Sequence, residues 1–137
     1  MPSPATHPTP NAATPPTTAQ CRAALGARGE QLAVEHLTAQ GLVVLDRNWR
    51  CSEGELDIIA TDGASVVVVE VKARSGIGYG RPEEAVTPRK LARMRRAAQR
   101  WLSANRVGWV QVRFDVVAVL IDPRTGGVQL EHLPGVF

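Results

Sequence analysis

Residues 65–72 read Ser65-Val66-Val67-Val68-Val69-Glu70-Val71-Lys72, and this stretch decides the fold. Four consecutive valines are apolar on both faces, the pattern of a central strand and not of an edge. The run then turns polar, so the strand leaves the core at Glu70. Residues two apart share a face of a strand, which sets Glu70 and Lys72 side by side. Just upstream, Thr61-Asp62-Gly63-Ala64 is a turn signal, and Gly54–Ala60 before it alternates as a strand. The two strands are expected to be antiparallel neighbours. Pairing about Asp62-Gly63 would set residue 57 near residue 68, with residue 70 a step further on the same face. Glu55 and Asp57 share a face of the earlier strand for the same reason.

Further out, helical spacing of Leu25, Leu32, Ala33, Val34 and Leu37 predicts a first helix over Cys21–Gln40, stopped by Gly41. Leu42–Asp46 reads as a strand, and residues 47–54 read as a polar connection. Ser75–Pro82 is Gly-rich and reads as a loop. Thr87-Pro88 is an N-cap followed by proline at the first helical position. Leu91, Met94, Ala98, Trp101 and Leu102 form the buried stripe of this second helix. Val112–Ile121 is a long apolar strand carrying one acid, Asp115, and Val128–Leu133 closes the chain as a short strand. The expected order is α-β-β-β-α-β-β, one α/β domain with a mixed central sheet flanked by helices.

Composition narrows the function classes. Residues 1–20 hold six of the ten prolines, five threonines and no charged side chain, so they are expected to form a disordered tail ahead of a domain over 21–137. The tail has neither the basic start nor the apolar run of a signal peptide. No stretch approaches the roughly 18 apolar residues of a membrane span. Cys21 and Cys51 are too few and too far apart for a disulfide framework or a zinc site. A soluble cytoplasmic protein is expected. Seven basic residues and no acid lie between Arg89 and Arg106. A basic face beside a carboxylate cluster suits a polyanion bridged to carboxylates by a cation; the bland alternative for the same helix is a solvated face.

Two carboxylates from adjacent strands with an ammonium beside them match the needs of phosphodiester hydrolysis. Mg²⁺ suits carboxylate, carbonyl and water ligands. Lys72 could position or deprotonate a water, or stabilise the charged transition state. Against this stands a plain strand-end Glu–Lys pair, worth under about 1 kcal/mol.

Several separated motifs appear in order: Gly26-x-x-Gly29-Glu30-x-x-Ala33, Arg47-Asn48-Trp49-Arg50, Gly54-Glu55-Leu56-Asp57-Ile58-Ile59-Ala60, Glu70-Val71-Lys72-x-Arg74, Lys90 and Arg113-Phe114-Asp115-Val116-Val117. As a set they resemble the YraN-type (UPF0102) bacterial family, from about Leu25 to Phe137. That family is assigned to the restriction-endonuclease-like PD-(D/E)xK superfamily, near the Holliday-junction resolvases. The resemblance implies a restriction-endonuclease-like core and a metal site of Asp57, Glu70 and the Val71 carbonyl. It also implies Lys72 as the catalytic lysine and Glu30 as a further acid reaching the site. Leu56 stands where the superfamily's motif has proline.

The remaining candidates each carry two readings. Glu30 is either that fourth acid or a surface acid bonded to a nearby arginine. Glu55 is an outer-shell neighbour of Asp57, or a partner of Arg47 or Arg50. Asp115, alone in an apolar strand, needs a partner if buried; that partner is a basic side chain or backbone donors, or else the residue supports the metal site from its second shell. Arg74, Lys90, Arg93, Arg96 and Arg100 are candidate phosphate contacts. Trp49 could stack on a base or pack, whereas Trp101 belongs to the core stripe. The expected function is a Mg²⁺-dependent DNA nuclease, with Mn²⁺ as a substitute, acting on branched or structured molecules. The alternative is a non-catalytic nucleic-acid-binding module, a partner in DNA repair or uptake. A homodimer is the assembly that two cuts on a symmetric junction would call for.

Overall fold

The computed structural model describes residues 14–76 and 86–136. The first helix, α1, spans Thr18–Ala39. It starts ahead of the expected Cys21 because Thr17 and Gln20 form a capping box. The Gln20 N–H donates to the Thr17 hydroxyl at 3.1 Å, and the Thr17 N–H donates to the Gln20 side-chain oxygen at 2.8 Å. Two donors with no helical partner are satisfied at once. Residues 18–20 therefore belong to the helix and not to the expected tail, whose residues 1–13 lie outside the described residues.

The chain continues through β1 (Val43–Cys51), β2 (Gly54–Thr61), β3 (Ser65–Ser75), α2 (Pro88–Ala104), β4 (Gln111–Ile121) and β5 (Val128–Leu133). This is the expected α-β-β-β-α-β-β order in one mixed sheet, with strands in the spatial order β1-β2-β3-β4-β5. Neighbours are antiparallel except β3 and β4, which run parallel on either side of α2. Most of the loop expected over Ser75–Pro82 lies outside the described residues. Among the described residues no helix is long and apolar enough to cross a membrane.

Two expectations about the hairpins need correction. Arg47–Cys51 is not a connection: it continues β1, pairing Arg50 with Glu55 and Cys51 with Gly54. β1 is an edge strand with weak burial, so its polar residues hide the alternation that betrays a strand. The β2–β3 register also differs. Thr61 pairs with Val66 and Ile58 with Val69, so residue 57 stands at the level of residue 70 and not of residue 68. The reason is Asp62, whose carboxylate accepts from the Ala64 and Ser65 N–H groups at 2.8 and 2.7 Å. That side-chain turn lengthens the loop beyond the two-residue type.

The helices cover opposite faces. Ala33 and Leu37 of α1 pack on Ile58, Val67, Val69 and Val117. Met94, Ala98 and Trp101 of α2 pack on Leu56, Val68, Phe114 and Val116. Each of the fully buried Val, Leu, Ile, Met and Phe side chains contributes about 1.5–3 kcal/mol, and the alanines less.

Helix α1 approaches β3 closely at Gly29, where an added Cβ would lie 2.5 Å from the Ala73 Cβ. Gly26, a turn earlier on the same helix, has nothing within 4 Å of such a Cβ. Gly29→Val is expected to destabilise the fold by about 1–3 kcal/mol through overpacking. Gly26→Ala should stabilise it by up to about 1 kcal/mol through lower chain entropy. Urea unfolding of the two variants checks both signs; equal effects would mean that α1 does not seat on Ala73.

Candidate active site

Pairing between β2 and β3 stops at Ile58 and Val69, although β3 continues beside β4 to Ser75. The cause is a kink shared by β1 and β2. Leu56 and Ile59 both pack on the α2 side, whereas Ile58 and Ala60 pack on the α1 side, which strict alternation forbids. β1 changes face at the same level without changing register. Asp46 accepts from Trp101 Nε1 of α2 at 3.0 Å and Trp49 packs on that side too, yet Arg47 between them reaches Glu30 of α1. Asn48 has a φ of 50°, a left-handed conformation that asparagine tolerates better than most residues. The pairs Arg47–Ile58 and Trp49–Leu56 step over Asn48 and Asp57. Asp57 is thereby taken out of the ladder, and its carboxylate fills the place of a ladder acceptor, taking the Val71 N–H at 2.9 Å.

The parted strand ends open into a cleft of about 650 Å³. Asp57, Val71, Lys72 and Arg74 line it from β2 and β3, Asn48 and Glu55 from the first hairpin, and Arg22 and Glu30 from α1. Glu70 lies beneath, its side chain only 8% exposed. Its carboxyl group is close enough to Asp57 to share a hydrogen bond. Lys72 Nζ stands 4.0 Å from Glu70 Oε1, and Lys90, from the first turn of α2, makes a close ion pair with the same oxygen.

Burial, and next the Glu70 carboxylate, push the Asp57 carboxyl up to about 7, against the pull of the Val71 N–H. Glu30 adds to the upward push. Burial also lowers the Lys72 ammonium below its ordinary value, helped by the charge of Lys90 and opposed by that of Glu70. These are the directions expected when a charge leaves water and meets like charges.

Glu30 is bonded to a nearby arginine, as one reading has it, and also borders the cleft. It accepts from Asn48 Nδ2 at 2.7 Å and from Arg47 Nε at 3.4 Å, and it lines the cleft. Glu55 likewise pairs with Arg50 at 3.4 Å and borders the cleft.

Other candidates are placed elsewhere. Arg93 donates to the Glu53 and Glu55 carbonyl oxygens at 3.2 and 3.4 Å, and Arg96 and Arg100 pair with the Glu53 carboxylate at 2.9 and 3.8 Å. Glu53 sits in the β1–β2 turn, whose nearness to α2 no sequence pattern shows. None of the three arginines lines the cleft. Trp49 is not in a loop; it packs from β1 against the α2-side core. Asp115 is fully buried and accepts from Arg113 twice at 2.9 Å, from the Gly135 N–H at 2.9 Å, and pairs with His132 at 2.8 Å. Arg113 also reaches Asp62 in the β2–β3 turn, at the opposite end of β2 from Asp57. Asp115 is a structural anchor and does not support the cleft. Sequence reasoning missed Asn48 and Arg22 as cleft residues; only the left-handed tolerance of asparagine offered a signal.

The sequence model described as "Uncharacterised protein family UPF0102" matches residues 29–119. The chain belongs to the UPF0102 family. A UPF0102 protein of Acidothermus cellulolyticus is 50% identical over 130 residues, covering 88% of this chain and 98% of the relative. One from Beutenbergia cavernae is 54% identical over 113 residues, covering 82% and 95%. One from Mycolicibacterium smegmatis is 55% identical over 117 residues, covering 84% and 94%. The UPF0102 match takes in Glu30, Asp57, Glu70, Lys72 and Lys90.

The Asp57 environment predicts a stability effect. Between 3.8 and about 7 the folded chain holds a proton that the unfolded chain has released, so this group's contribution falls as pH rises. Asp57→Asn keeps an acceptor for the Val71 N–H and removes the charge. The variant is expected to melt about 2–4 °C or more above the wild type near pH 8, with the gap closing near pH 4. Melting curves at the two pH values check this; an equal or lower melting temperature near pH 8 would show that Asp57 is not strained by Glu70.

Proposed function

We propose that this UPF0102 chain is a metal-dependent nuclease that hydrolyses DNA phosphodiesters, with branched or structured DNA as its preferred class. The observation that carries the reading is the Asp57–Glu70 pair, a half-buried carboxyl group lining an open cleft with a buried one within hydrogen-bonding reach behind it and Lys72 beside them. Among the described residues no three His, Cys, Asp or Glu side chains form a metal cage. Zinc-type sites, with three or four side-chain ligands, are disfavoured by this donor set. Mg²⁺ asks for less: one or two carboxylates, with water and oxygen donors completing its shell. Asp57, Glu70 and the Val71 carbonyl fit that demand, and the repulsion that raises Asp57 is what a cation would relieve.

A bound Mg²⁺ would supply Lewis acidity toward the phosphate and lower the pKa of an attacking water. The rest falls to the chain. Lys72, whose ammonium is held below its ordinary value, would exchange a proton with that water or meet the developing charge. Arg22 and Arg74 give the rim cations that attract and position a phosphate backbone. Glu30, held by Asn48 and Arg47, fixes the wall of the cleft opposite Val71.

One observation favours a second reading, a nucleic-acid-binding module without turnover. Lys90 already neutralises Glu70, so the carboxylate is satisfied with no metal at all. Cleavage of labelled linear, flapped and four-way DNAs with Mg²⁺ or Mn²⁺ separates the two. Asp57→Ala and Lys72→Ala are each expected to lower cleavage roughly a hundred-fold or more. Cleavage that persists in both variants overturns the nuclease reading, and binding across the panel without cleavage establishes the module.

A further inference from the structure

Lys90 behaves unlike the other cations of α2. Arg93, Arg96 and Arg100 turn outward to Glu53 on the β1–β2 turn, whereas Lys90 turns into the site and pairs with Glu70 Oε1. The Lys90 side chain is 24% exposed in this pair. A divalent cation held between Asp57 and Glu70 would need the Glu70 carboxylate, whose Oε1 Lys90 covers. An ammonium and a metal ion on the same carboxylate repel each other in a partly dry site, so each weakens the hold of the other. Lysine is a point charge on a four-carbon stem, so it can withdraw by rotation about its own bonds while the helix stays in place. Its backbone is fixed meanwhile, since the Lys90 N–H donates to the Thr87 cap at 3.1 Å.

The geometry points to Lys90 as an exchangeable counter-ion of Glu70, which holds the carboxylate until a divalent cation arrives and then moves to a nucleic-acid phosphate at the cleft. This rests on the metal-binding reading of Asp57 and Glu70 given above. Lys90 is a positioning residue in this scheme. It keeps Glu70 from rearranging in the metal-free protein, and its release adds one phosphate contact only when the site is loaded. Cation binding and nucleic-acid binding are thereby coupled through a single side chain, and the coupling must be reciprocal.

Mn²⁺ binding to the full-length chain, followed by electron paramagnetic resonance, tests the scheme in wild type, Lys90→Met, Lys90→Arg, Lys72→Met and Asp57→Ala. Lys90→Met is expected to bind Mn²⁺ on the order of ten-fold more tightly than wild type, because a competing charge has gone. Lys72→Met should gain less, since Lys72 stands further from Glu70, and Lys90→Arg should stay near wild type. A second readout is the salt dependence of DNA binding with and without Ca²⁺. Ca²⁺ should steepen the wild-type slope by about one phosphate contact and leave that of Lys90→Met unchanged. Binding of Mn²⁺ that Asp57→Ala abolishes but Lys90→Met leaves equal or weaker would overturn the exchange and spare the metal site. An absence of any Asp57-dependent Mn²⁺ site in both wild type and Lys90→Met would overturn both.

Discussion

The bond from the Val71 N–H to the Asp57 carboxylate is what the site depends on. A part-buried amide within a central strand needs an acceptor, and a fully buried one left without it would cost about 1–3 kcal/mol. β2 would ordinarily supply that acceptor from its backbone. The kink at Asn48 and Asp57 removes it, and the side chain of Asp57 takes its place. One carboxylate oxygen is thus committed to the fold. The bond also fixes the Asp57 carboxyl group beside β3, within hydrogen-bonding reach of Glu70. Opening the ladder and pairing the carboxylates are one event.

Topology explains why the remaining groups collect there. Parallel pairing of β3 with β4 requires a crossover that leaves the carboxyl end of β3 and returns through α2. The first turn of the crossover helix therefore starts near the end of the strand that carries Glu70 and Lys72, and Lys90 comes with it. Ligands of open α/β sheets gather at the carboxyl ends of parallel strands on the same grounds. From the other face, α1 reaches the cleft because Gly29 lets it lie against Ala73. Its Glu30 then meets Asn48, the residue whose left-handed turn caused the opening. Helix α1 contributes Arg22 and Glu30 and helix α2 contributes Lys90, and each helix is seated by packing some distance from the cleft.

The parts of this arrangement that were legible in the sequence share a local origin. The run of valines before Glu70, the Glu70–Lys72 parity and the Thr87-Pro88 helix start depend only on neighbours in the chain, and the element order followed from them. The two-residue slip in the β2–β3 register was hidden because Asp62 and Gly63 are compatible with a short turn, while the bonds from Asp62 to Ala64 and Ser65 choose a longer one. The arginine stripe of α2 looked like an interface because its partner, Glu53, is distant in sequence and unremarkable in context. Asp115 signalled only that a buried acid requires donors, not that Arg113, His132 and Gly135 would provide all of them. Pattern gives the faces of elements; which face meets which charge is a tertiary fact.

The two carboxylates at the floor are not equivalent, and the asymmetry has a consequence for any polyanion that enters. Glu70 has an ammonium in contact and another at 4.0 Å, so its charge is balanced within the site. Among the described residues Asp57 has no ammonium partner, only a backbone N–H and two acidic neighbours, and burial with Glu70 pushes it up to about 7. One carboxylate of the pair is therefore balanced by neighbouring cations, and the other has its ionised form disfavoured by burial and by Glu70. A phosphate approaching from the cationic rim meets little net repulsion when Asp57 is protonated and more when it is ionised. A cation reverses that preference, since it binds the ionised pair and then attracts the phosphate itself. The same two acids thus respond in opposite ways to a polyanion and to a cation, and Asp57 is the one whose charge burial and its acidic neighbours disfavour.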